Sequence, residues 1–205
     1  MTIGVILAAG RSSRFLSPIP KQLYPINDKP IINYSIDILS KSLDDVIIIT
    51  NSSYYDLIQT DKTILINDID DRIQSIKVAL DYLEMVNPSN ILIHDAARPF
   101  ITLEMIHKLL ESQKTNLHSQ YYLPILNGLA HNSNGDWEIP NRSEFIQLCS
   151  PQITQFDLFK SLFREKILPG EECEILPLVS KMKKDFNLIE GSYSQLRKIT
   201  TIEDI

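Results

Sequence analysis

Apolar positions along the chain follow two periods. Ile3 to Ala8, Val46 to Thr50, Thr63 to Ile66 and Ile91 to His94 are short runs rich in branched residues, each of strand length. The run at Val46 to Thr50 shows no polar alternation, the mark of a strand covered on both faces, as in a parallel sheet between helices. Between these runs the apolar spacing widens to three and four. Ile31, Ile32, Tyr34, Ile38 and Leu39 follow Lys29-Pro30, a proline suited to a helix's first turn. Ile73, Ile76, Ala79, Leu80 and Leu83 predict a second helix from about Arg72 to Met85, preceded by Asp68, Asp70 and Asp71, whose charge suits the helix dipole. A shorter helix is expected to include Tyr54 to Ile58, and Thr102 to cap one reaching about Gln113. This alternation predicts an α/β fold: a Rossmann-like doubly wound, mostly parallel sheet flanked by helices, with its ligand crevice at the strand C-terminal ends.

After a strand expected near Tyr121 to Leu126 the alternation lapses. Asn127 to Arg142 is polar, contains Asn132-Ser133-Asn134-Gly135-Asp136 and has no helical period, so an arm or hairpin is predicted over about residues 127–145. A strand at Phe145 to Leu148, the break Ser150-Pro151-Gln152 and a helix around Phe156 to Phe163 should follow. A helix over roughly Glu172 to Lys183 must accommodate Pro177 by a kink or in its first turn, and Asn187 to Glu190 reads as a late strand. Near the C-terminus Thr201 and Asp204 have the spacing of a helix start, so the chain ends either in a short stub or at a cut in a longer protein.

With 205 residues and no compositional break, one domain over 1–205 is expected. A net charge of −6 argues against a general affinity for nucleic acid or anionic membranes. No apolar run approaches the roughly 20 residues that span a bilayer, and the N-terminus lacks a signal-peptide pattern, so a cytoplasmic location without membrane attachment is expected. Cys149 and Cys173 stand apart without metal or redox spacing, as do the four histidines, and no structural zinc is expected.

Candidate chemistry concentrates in residues 3–22, IGVILAAGRSSRFLSPIPKQ. The first strand runs into Ala8, Ala9 and Gly10, small residues that let main-chain N–H groups approach a ligand and form an anion-binding concavity. Arg11, Arg14 and Lys21 follow with no acidic residue among them, within a chain that is acidic overall. The segment alone is compatible with a phosphate loop or with the surface loop of an ordinary strand–loop–helix unit.

Four separated motifs narrow the choice: LAAGRSSRF with PKQ at 7–22, HDAARP at 94–99, NRSEFIQLCSPQ at 141–152 and KITTIEDI at 198–205. Together they resemble the cytidylyltransferases that make CDP-polyols, the 2-C-methyl-D-erythritol 4-phosphate and ribitol-5-phosphate cytidylyltransferases. That resemblance implies CTP and a small polyol phosphate as substrates, with methylerythritol phosphate marginally ahead, and release of pyrophosphate. It implies that Ala8, Ala9 and Gly10 cradle the nucleotide, that Asp70, Arg72 and Ser75 lie in the base-recognising segment, and that Arg14, Lys21 and Lys198 act on the phosphates. It further implies that Asp95, Arg98 and Ser150 serve the acceptor, that Asp95 helps place Mg²⁺, and that Arg142 reaches from the arm to the acceptor of a second subunit in a homodimer.

Departures from the family pattern bear on the acceptor. Ser12 or Ser13 stands where a second glycine is usual, Asp68 and Ile69 where a glycine pair adjoins the base, and Asn127 and Gly128 in place of an aspartate-threonine pair. Glu172-Cys173-Glu174 stands in place of a threonine-aspartate segment and puts carboxylates near the expected position of the substrate's phosphate. A nucleotidyltransferase with another nucleotide or acceptor, or an inactive nucleotide-binding interaction domain, would also accommodate these changes.

Overall fold

The computed structural model describes residues 1–164 and 175–205. Among the described residues the main sheet has seven strands: β1 (Thr2–Leu7), β2 (Asp45–Thr50), β3 (Thr63–Ile66), β4 (Asn90–Asp95), β5 (His118–Pro124), β6 (Ile146–Gln155) and β7 (Phe186–Glu190). Their spatial order is β7-β5-β6-β4-β1-β2-β3. β6 pairs antiparallel with both β4 and β5, while the other pairings are parallel, so the sheet is mostly parallel as expected.

Among the described residues six helices flank it: α1 (Ile31–Ser40), α2 (Arg72–Val86), α3 (Leu103–Ser112), α4 (Phe156–Arg164), α5 (Leu176–Lys181) and α6 (Tyr193–Leu196). Successive strand residues point to opposite faces, which explains the two cores. Ile6, Ile48 and Leu92 pack with Ile36 and Leu39 of α1 and Ile106 and Leu109 of α3. Val5, Ile47 and Ile93 pack on the other face with Ile76 and Leu80 of α2, Phe159 of α4 and Val179 of α5. Strands buried on both sides need no polar alternation, hence the continuous apolar runs. No helix among the described residues is long and apolar enough to cross a membrane.

Strand order reverses at β1: β2 and β3 extend to one side, β4 to the other. A crevice opens at such a switch point beyond the strand C-termini. The register pairs Leu7 with Asp95, so the loops after β1 and β4 emerge side by side.

Four boundaries differ from the sequence reading. β5 starts at His118, three residues earlier than expected, because its polar residues His118, Ser119 and Gln120 are buried and hide the strand's period. β6 runs through the expected break at Ser150-Pro151-Gln152, accommodating it with a register shift between Cys149 and Gln152 and a cis Ser150–Pro151 bond. The helix at Tyr54 is a 3₁₀ segment, Ser52–Leu57. α5 is shorter than the expected 172–183 helix; Pro177 lies in its first turn, and Glu172, Cys173 and Glu174 fall outside the described residues.

The arm is a hairpin. His131–Ser133 pairs antiparallel with Asp136–Glu138 around Asn134 and Gly135, both with positive φ, the conformation of a two-residue hairpin turn. The C-terminal start signal forms a capping box on a 3₁₀ turn, Ile202–Asp204.

Candidate active site

The loop after β1 is held by a buried side chain as well as by backbone bonds such as Phe15 N–H to the Ser12 carbonyl at 2.9 Å. Gln22 is buried, and its Nε2 donates to the carbonyls of Ala8 at 2.9 Å and Gly10 at 3.2 Å. Its Oε1 accepts from Ser12 Oγ at 3.0 Å, and the same hydroxyl accepts from the Lys21 N–H at 3.2 Å. Ser12 adopts φ 59, the left-handed region that favours glycine. The serine hydroxyl, bonded to Gln22 and to the Lys21 N–H, ties the loop's two ends. A Cβ built at Gly10 would meet no protein atom within 4 Å, so this glycine leaves open cavity rather than relieving a clash.

A first cavity of about 330 Å³ opens against this loop, lined by Ala8, Ala9, Gly10, Arg14, Lys21 and Gln22 on one side. Asp70, Arg72 and Ser75 line the other, and Ile69, largely exposed, stands at the edge. That second wall is fixed by buried Asn67, whose Nδ2 donates to Ser75 Oγ at 2.8 Å and to the Ile69 carbonyl at 2.9 Å. Asp71 caps α2 by accepting from Ile73 N–H at 2.7 Å. Burial lowers the Lys21 pKa, and the positive charges of Lys198 and Arg14 lower it further. These three cations from the two ends of the chain are therefore electrostatic neighbours around one space.

Asp95 ends β4 between this cavity and a second. Its N–H donates to Ser150 Oγ at 3.0 Å. Its carboxylate is ion-paired with Arg72, with Lys198 Nζ at 3.1 Å and with Arg98 Nε at 3.7 Å. Burial opposes the charged form, but Arg72, Lys198 and Arg98 together outweigh it and hold the carboxyl well below the usual carboxylate range. Lys198 reaches Asp95 because the chain on either side is anchored. The Arg98 guanidinium donates to the Leu196 carbonyl, and Ile199 N–H donates to the Ala97 carbonyl at 2.9 Å. Leu196 and Ile199 are both fully buried.

The second cavity, of about 490 Å³, shares Arg72, Asp95 and Lys198 with the first and adds Arg98, Ser150, Gln120, Gln147 and Gln152. Below it His118 contacts Thr154 Oγ1 at 2.8 Å and Gln120 Oε1 at 3.3 Å, and burial lowers its pKa to about 4. His94 is likewise lowered by burial to about 4, so both are neutral near pH 7.

The fold therefore gathers twelve of the thirteen sequence candidates around two adjoining cavities: Ala8, Ala9, Gly10, Arg14, Lys21, Asp70, Arg72, Ser75, Asp95, Arg98, Ser150 and Lys198. Arg142 lines neither. It sits at the root of the arm, its Nη1 donating to the Leu126 carbonyl at 3.0 Å. Gln22, Asn67, Gln120, Gln147 and Gln152 were not among the candidates. Gln22 had a signal in the motif PKQ, and Gln147 and Gln152 in NRSEFIQLCSPQ, whereas Asn67 and Gln120 look in sequence like ordinary polar interruptions.

The donor set does not fit a protein-built magnesium cage. Among the described residues no three His, Cys, Asp or Glu side chains converge. Asp95, the expected ligand, already faces three cations, which compete with a metal for its oxygens.

An α/β switch-point crevice with a bare glycine loop, converging cations and a second polar cavity across one shared carboxylate is the architecture of a nucleotidyltransferase. The family model of 2-C-methyl-D-erythritol 4-phosphate cytidylyltransferase, IspD, matches residues 2–205, and the chain belongs to this family of CTP-dependent cytidylyltransferases. Ribitol-5-phosphate cytidylyltransferase of Streptococcus pneumoniae serotype 19F (strain G54) is 30% identical over 223 residues, covering 98% of this chain and 94% of that one. In fold the chain resembles 4-diphosphocytidyl-2C-methyl-D-erythritol synthase from Anaerococcus prevotii DSM 20548, with a TM-score of 0.81 at 19% identity, covering 99% and 94% of the two chains. It also resembles the bifunctional IspDF from Campylobacter jejuni, with a TM-score of 0.80 at 21% identity, where it covers 100% of its own length and 53% of that chain.

Proposed function

We propose that this chain transfers CMP from CTP to a small polyol phosphate. An oxygen of the acceptor phosphate attacks the α-phosphorus in line, a P–O bond forms, and the bond to the β-phosphate breaks as pyrophosphate leaves. The observation that carries this reading is the pair of cavities sharing Arg72, Asp95 and Lys198: one walled by the glycine loop and cations, the other by amides, a hydroxyl and Arg98. In the first, Ala8, Ala9 and Gly10 cradle the triphosphate, Asp70, Arg72 and Ser75 face the base, and Arg14 and Lys21 neutralise phosphate. Lys198, between the two, faces the transferring phosphoryl group. A phosphate monoester is largely anionic at neutral pH and needs no general base, so fixed cations lower the barrier by positioning and charge stabilisation. Asp95 holds Lys198 and Arg72 in place and prevents three cations from repelling one another before substrate arrives. Mg²⁺ remains the proposed cofactor, held mainly by the nucleotide's own phosphates.

Sequence alone sets methylerythritol phosphate marginally ahead as acceptor. The ribitol-5-phosphate relatives support ribitol 5-phosphate as the first choice, with methylerythritol phosphate second. Arg142 lies outside both cavities while Leu126, Trp137 and Ile139 on or beside the arm are 72%, 70% and 88% exposed, which supports a homodimer in which the arm serves a neighbouring subunit. A fully active monomer in sedimentation would remove that assembly.

The reaction is tested by pyrophosphate release with each of the four nucleoside triphosphates against ribitol 5-phosphate, methylerythritol phosphate and glycerol phosphate. CTP with a five-carbon polyol phosphate should be the productive pair. Binding of CTP without turnover of any acceptor would favour a non-catalytic nucleotide-binding domain.

A further inference from the structure

Gln152 stands opposite Gln120 in β5 and opposite Ile93 in β4, which places the three side chains on one face of the sheet. Ile93 belongs to the apolar core of that face, and the two glutamines interrupt it where the sheet borders the second cavity. Both glutamines are 1% exposed. Gln120 contacts His118, but the buried Oε1 of Gln152 has no hydrogen-bond partner. An amide oxygen taken out of water and left unpaired costs stability, and an apolar side chain of the same shape would avoid that cost. A ligand hydroxyl arriving in the cavity supplies what the fold withholds, because the terminal torsion of glutamine is soft and turns its oxygen or its NH₂ toward the ligand.

We propose that Gln152 is a specificity-determining residue that hydrogen-bonds a hydroxyl on the carbon chain of the acceptor. The proposal rests on the cytidylyltransferase reading above. Arg98 and Lys198 attract the acceptor's phosphate beside Asp95, and Gln152, two residues along β6 from the Ser150 that holds Asp95, meets the polyol chain beyond it. A site that hydrogen-bonds a substrate hydroxyl rejects the analogue lacking it, since the buried amide is again left unpaired.

The test compares ribitol 5-phosphate with its 1-, 2-, 3- and 4-deoxy analogues in the wild type and in Gln152→Met, which keeps the volume and removes the amide. In the wild type one deoxy analogue should lose roughly 10- to 100-fold in kcat/KM. Q152M should lose a similar factor with ribitol 5-phosphate, no longer distinguish that analogue, keep KM for CTP within about threefold, and melt no lower than the wild type. Unchanged discrimination in Q152M, or an equal loss against CTP, overturns the role. Gln152→Leu replaces Q152M should the latter misfold, and equal wild-type rates with all four analogues overturn the proposal without any variant. Absence of wild-type turnover with every polyol phosphate removes the reaction and the proposal together, whereas turnover with unaltered discrimination removes only the role of Gln152.

Discussion

The two cavities are built by different means. The nucleotide cavity is made of loops: a glycine turn stapled by Gln22, a capped helix start and cations from both ends of the chain. The proposed acceptor cavity adds strands: amides and a hydroxyl on β5 and β6, neighbours across the sheet but distant in sequence, beside Arg98 and the shared Arg72, Asp95 and Lys198. Main-chain N–H groups and cations suit a triphosphate, and their placement tolerates little change. On the proposed function, reaction type and acceptor choice reside in different parts of one site, consistent with a family model and relatives that carry different acceptor names.

Asp95 is where that separation should fail. Asp95→Ala leaves Arg72, Arg98 and Lys198 without their common carboxylate, and removing one partner of a buried ion pair costs about 3–5 kcal/mol. Denaturant midpoints should show that loss, and kinetics should show damage toward both substrates. A stable variant impaired toward one substrate alone would mean that the cavities do not share this residue functionally.

Lys21→Ala probes the nucleotide side. Removing a cation aimed at developing charge should lower kcat by about 10²–10³-fold, with little change in thermal midpoint. An unchanged kcat would take Lys21 out of the mechanism.

Gln22→Ala sharpens the contrast with a smaller effect. It strips the carbonyls of Ala8 and Gly10 of their donor, a cost of about 1–3 kcal/mol, and should raise KM for CTP while leaving KM for the acceptor in place. Equal changes in both constants would show that the loop and the strands are mechanically coupled.

Legibility in the sequence followed the same division. The glycine loop of the first cavity stood out because it is contiguous and chemically unusual, small residues after a strand and then basic residues without acids, whereas Asp70, Arg72, Ser75 and Lys198 came only from the family resemblance. Parallel strands were legible because burial on both faces leaves unbroken apolar runs. The acceptor cavity was largely hidden. His118, Ser119 and Gln120 are buried in β5, yet polar residues in sequence read as the absence of a strand, and Pro151 reads as a break although β6 continues through it. Ser12 in the glycine conformation reads as a defect until Gln22 is seen to bond its hydroxyl. Only the fold brings Lys198 to Asp95, across 103 residues.

The central claim is that both substrates occupy the adjoining cavities together and that transfer is direct. It is tested most directly by initial rates of pyrophosphate release over a grid of CTP and ribitol 5-phosphate concentrations. Intersecting double-reciprocal lines, with no release when either substrate is omitted, are the predicted result. Parallel lines, or pyrophosphate released from CTP before any acceptor is added, would contradict it.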